Sequence, residues 1–120
     1  MEFHRLQRLL TKGQFIERRH DVITDEIFDY VENEQLKLKK KDRKNYPTKA
    51  DMYYQLIIEG LKHADKADFK KLPKNRMVRI KVDNPINAQL FEVREKLKCK
   101  TDIFSFAVCL MEAAIDNQTK

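Results

Sequence analysis

The sequence predicts a mainly helical protein containing one short strand. Three observations lead there. Glycine and proline are scarce, two and three in 120 residues, which disfavours a turn-rich sandwich or barrel. Apolar residues recur at helical spacing over most of the chain. One segment alone, Arg76 to Val82, alternates with the period of a half-buried strand. Apolar residues make up 42% of the chain and charged residues 37%, enough for one core under a densely charged surface.

Phe3, Leu6 and Leu10 lie at helical spacing before Gly13 and predict a short first helix. Thr24 then precedes Asp25-Glu26, and Ile27, Val31 and Leu38 keep a helical period out to Lys39-Lys40-Lys41. Acids at the start and lysines at the end suit the helix dipole. Asn45-Tyr46-Pro47 ends this helix. Thr48-Lys49-Ala50-Asp51 has the spacing of a capping box and opens another, from about Lys49 to His63. Its residues Met52, Tyr53, Leu56, Ile57, Ile58 and Leu61 form a broad apolar face that protein must cover.

The charged stretch from Lys62 to Arg76, with Pro73 and the isolated Phe69, reads as a connector. The strand follows, with Val78, Ile80 and Val82 on one face and Met77, Arg79 and Lys81 on the other. Asp83-Asn84-Pro85 ends it and starts a helix striped by Ile86, Leu90, Val93 and Leu97. After Cys99-Lys100, Thr101-Asp102 caps a last helix, from Ile103 to Ile115 and beyond, with little polar surface. A lone strand is unstable, and one partner helix cannot cover a helix that is apolar on nearly all sides. The chain is therefore expected to dimerise or to contain a duplication.

Arg76 to about Asn117, a basic and apolar strand followed by two capped helices around a tight turn, resembles the ribbon-helix-helix family of DNA-binding proteins. The resemblance implies two strands paired antiparallel across a homodimer and inserted into the major groove. Met77, Arg79 and Lys81 would then meet the bases. Thr101, with the amide of Asp102 and the flanking Lys98 and Lys100, would hold a phosphate. Val78, Ile80, Val82, Phe106 and Leu110 would form the dimer core. The turn Lys98-Cys99-Lys100 departs from the family in lacking a glycine.

On this reading residues 69–120 are the ribbon-helix-helix unit and residues 1–68 a helical region. Aligning Thr48 with Thr101 pairs Tyr53 with Phe106, Ile57 with Leu110 and Gly60 with Ala113, which admits a degenerate second unit in the first half. That unit would put Arg18, His20 and Val22 outward but Arg19 and Asp21 inward, where charge spoils a ribbon core. A helical hairpin is the preferred reading of the first half.

The net charge is +6, and it is unevenly placed: Lys37 to Lys81 holds 15 Lys/Arg against 5 acids. Within it, Lys39, Lys40, Lys41 and Lys44 beside Tyr46, Tyr53 and Tyr54 form a candidate phosphate and base contact. Asp21 to Glu34 has six acids and no Lys or Arg, suited to a basic partner or to the chain's own basic part. His4, His20 and His63 are scattered, and Cys99 and Cys109 lack a CxxC partner, so no metal motif appears. No phosphate-binding glycine loop, nucleophile elbow or catalytic carboxylate pair is present, and neither an enzyme nor a cofactor is expected. Two cysteines and no long apolar run suit a reducing cytoplasm without a membrane partner.

The leading expectation is a homodimeric protein that binds specific double-stranded DNA, a small bacterial, plasmid or phage repressor. The second is a plasmid relaxosome or partition adaptor that marks a DNA site and recruits a protein through its N-terminal half. The third, from outside DNA binding, is an antitoxin-like interaction module.

Overall fold

The computed structural model describes residues 2–3, 15–70, 73 and 76–118, and the backbone alone at 15–21 and 81. Its elements run β1 (Phe15–Ile23), α1 (Asp25–Lys41), α2 (Lys49–Lys62), a 3-10 turn (Ala64–Lys66), β2 (Arg76–Asp83), α3 (Asn84–Lys96) and α4 (Ile103–Gln118). The protein is mainly helical with a small sheet, as the composition indicates. The helix expected over Phe3 to Leu10 lies outside the described residues, apart from Phe3. That ring is buried and packs edge-on against Tyr30, 6.2 Å between centroids.

The sheet corrects the sequence reading. A second strand, β1, pairs antiparallel with β2 inside the same chain, from Phe15 opposite Asp83 to Ile23 opposite Arg76. The first half is therefore more than a helical hairpin: both halves follow the order strand, helix, helix. β1 was hidden because its pairing is irregular. Arg18 pairs with Ile80 and Asp21 with Val78, so Arg19 and His20 together oppose Arg79 alone. A bulge of this kind admits a charged segment that breaks strict alternation.

Each strand ends at a cap. Thr24 accepts the Ile27 amide at 3.2 Å and Asp83 accepts the Ile86 amide at 3.0 Å, satisfying helix amides that the chain leaves open. Both caps also reach across the molecule. Thr24 donates to Glu112 of α4 at 2.6 Å, and Tyr54 of α2 donates to Asp83 at 2.9 Å. Each strand-to-helix junction is thus tied to the second helix of the other half.

The core gathers Ile23, Ile27 and Val31 with the apolar faces of α2 and α4 and with Ile80, Val82 and Leu90. Burying each such side chain stabilises by roughly 1.5–3 kcal/mol. α2 and α4 cross at Gly60, where a Cβ would collide with the Leu110 carbonyl oxygen and stand 2.7 Å from the Leu110 Cβ. α4 is covered as its composition requires, with Phe106 to Met111 all buried. Phe69 is not isolated: its ring stacks on Phe106, 4.8 Å between centroids. Val78 is half-buried against this core, while Ile80, Val82, Phe106 and Leu110 are buried in it. The residues expected to seal a dimer are therefore covered within one chain. Among the described residues no helix is long and apolar enough to cross a membrane.

Candidate nucleic-acid interface

The solvent face of the ribbon is built by alternation. Ile80 and Val82 point into the core at 1% and 0% exposure, so their neighbours must point out. Met77 is 66% exposed, and Arg79 is exposed as well. Lys81 occupies the next outward register position, opposite Glu17 of β1; its side chain is outside the description. Val22, half-buried, is the partner of Met77. Arg76 at the start of β2 is held by Asp25 at 2.9 Å and lies over the Phe28 ring at 4.8 Å.

The turn after α3 closes without a glycine. Lys98 takes a left-handed φ of 54°, its amide donates to Glu95 O at 3.0 Å, and the Cys99 amide donates to Arg94 O at 3.1 Å. This pair of bonds closes the helix end. Of the Thr101-Asp102 pair expected to cap α4, it is Asp102 that does so. The Asp102 carbonyl accepts the Phe106 amide at 2.9 Å, and its carboxylate accepts from the Ser105 amide at 3.4 Å. Thr101 does not cap. Its hydroxyl meets Cys99 Sγ at 3.0 Å, and its carbonyl accepts from Arg94 Nε. An anionic carboxylate at the helix start competes with a phosphate for the same amides, which leaves Lys98 and Lys100, both exposed, as the cations of that corner.

Lys39, Lys40 and Lys41 form the last turn of α1, and Lys44 lies in the following loop, all exposed. Lys39 sits over the Tyr46 ring at 5.6 Å. Tyr53 and Tyr54 are core residues rather than a stacking platform. Burial pushes the Tyr53 phenol up to about 12, with the Glu32 charge adding to it, and its hydroxyl has no hydrogen-bond partner among the described residues. The acidic stretch engages the chain's own cations: Asp25 holds Arg76, Glu32 pairs with Lys49, and Glu34 pairs with Lys37 at 3.0 Å.

Sequence spacing gave no sign of a second feature. A cleft of about 540 Å³ is lined by residues of α1, α4 and the segment after α2, including Glu26, His63, Lys66, Glu112 and Asp116. Ligand atoms of Glu26, Glu112 and Asp116 lie within 4.8 Å of one another. Burial raises the Glu112 carboxyl above the ordinary value, the Thr24 hydrogen bond opposes this, and the Glu26 charge reinforces it. These acids come from both ends of the chain, so only the packing of α4 against α1 brings them together.

The chain matches no family model, no curated protein and no solved structure.

Proposed function

We propose that the chain is a sequence-specific double-stranded DNA-binding protein of ribbon-helix-helix type that acts as a small transcriptional repressor. The observation that carries this reading is the antiparallel two-stranded ribbon, with Ile80 and Val82 buried beneath it and Met77 and Arg79 exposed above it. A ribbon of this width enters the major groove, about 12 Å across, where Arg bonds guanine bidentately and Met packs on a thymine methyl. Lys98, Lys100 and the Lys39 to Lys44 run supply phosphate contacts, and the +6 charge favours encounter with DNA. No cofactor enters this mechanism, since occupancy of the site blocks transcription by itself.

Selection of bound fragments from random duplex DNA decides the matter. Enrichment of one motif supports the reading, and Arg79→Ala then costs roughly 1–3 kcal/mol at that motif and relaxes one position. Binding without any preferred sequence refutes it. A protein partner keeps one observation in its favour, on the C-terminal half rather than the N-terminal half that the adaptor reading assigns to it: Phe91, Leu97 and Phe104 are large apolar side chains exposed on α3, its end and the start of α4.

A further inference from the structure

A ribbon made by two copies of one chain has a twofold axis and reads a palindrome. The ribbon here is made by two different strands, and its asymmetry goes beyond composition. Aligning the sequences of the halves on their caps, Thr24 with Asp83, pairs the buried Ile23 with the buried Val82. Across the ribbon the register sets Val22 opposite Met77, the bulged Arg19-His20 opposite Arg79 and Glu17 opposite Lys81, and no position is repeated. β1 is electrically neutral, with Arg18 and Arg19 against Glu17 and Asp21, whereas β2 has Arg76, Arg79 and Lys81 against Asp83. The bulge removes the dyad from the backbone too: pairing from Asp21 to Ile23 is offset by one residue from pairing between Phe15 and Arg18.

We propose that one chain forms one complete DNA-reading ribbon and that its target is a non-palindromic duplex sequence read chiefly by β2. This rests on the DNA-binding reading above and names the class of site it recognises. The outward register positions hold Met77, Arg79 and Lys81 on one strand and Val22, the Arg19-His20 bulge and Glu17 on the other, so the two halves of the footprint have different base preferences. The net positive charge of β2 beside the neutral β1 draws phosphates to the β2 side, which makes the contacts of the two strands unequal.

The test selects bound fragments from random duplex DNA with the full chain and counts chains per fragment by native mass spectrometry. The expected result is an asymmetric motif with one chain per ribbon footprint. Arg79→Ala should flatten base preference in one half of that motif only, with the circular-dichroism spectrum unchanged because Arg79 is exposed. A palindrome centred on the footprint of a single ribbon, or two chains sharing one footprint, overturns the asymmetric assignment while leaving DNA binding intact. Absence of any enriched motif overturns the DNA-binding reading itself, and the asymmetric site falls with it.

Discussion

The Thr24 hydroxyl donates to Glu112 Oε1 at 2.6 Å while the same oxygen accepts the Ile27 amide, so one side chain starts α1 and fastens it to α4. The Glu112 carboxyl is raised by burial, and by Glu26, above its ordinary value of 4.5. The folded protein therefore binds a proton at a pH where the unfolded chain does not. Stability attributable to this group grows as pH falls through the raised value toward the ordinary one, and is absent above it. Glu112→Gln keeps an acceptor for Thr24 and should abolish that gain. Denaturant titrations from neutral pH to about pH 5 check it: the native protein should gain on the variant over that range, and parallel curves would refute the assignment.

Adjacent tyrosines should behave oppositely. Tyr54→Phe removes the bond to Asp83 and should cost about 1–2 kcal/mol, since it strips a buried acceptor of its donor. Tyr53→Phe removes a buried hydroxyl that has no partner among the described residues and should be neutral or stabilising by up to about 1 kcal/mol. Urea unfolding of the two variants separates them.

Gly60→Ala should be among the most damaging small substitutions. The new methyl meets the backbone of Leu110, which cannot rotate away as a side-chain tip can. The helices must separate, at a cost of about 3 kcal/mol. A melting temperature within a few degrees of the native one would show that α2 and α4 can slide past each other.

Lys98→Gly should stabilise by about 1 kcal/mol, because a side chain at φ 54° is strained and glycine is not. At the next element, Asp102→Ala should cost about 1 kcal/mol by removing a helix cap, whereas Thr101→Ala should cost less. Thermal denaturation orders the three.

If Lys39, Lys40, Lys41 and Lys44 lie along phosphates, changing all four to Gln should flatten the salt dependence of DNA affinity by about 0.9 log unit per log unit of salt for each phosphate no longer neutralised. Sequence preference should survive, because it is read from the ribbon. An unchanged slope would assign these lysines to the solvated end of α1 alone.

What the sequence determined by itself is local. The caps at Thr24, Thr48 and Asp83, the capping box with Asp51, and the two faces of β2 depend on residues a few positions apart, and the structure has each of them where spacing put it. Tertiary structure decided the rest. β1 carries Arg19 and Asp21 where alternation asks for apolar residues, so it reads as strand only once β2 is there to pair with it across the bulge. The Lys98 conformation was hidden for the same reason, because bonds to Glu95 and Arg94 offset the local preference against a left-handed lysine. The meeting of Glu26, Glu112 and Asp116 has no local trace at all, since it depends on α4 packing against α1. A strand's partner and a cluster's members are fixed by long-range packing, and a one-dimensional pattern records only the face each residue prefers.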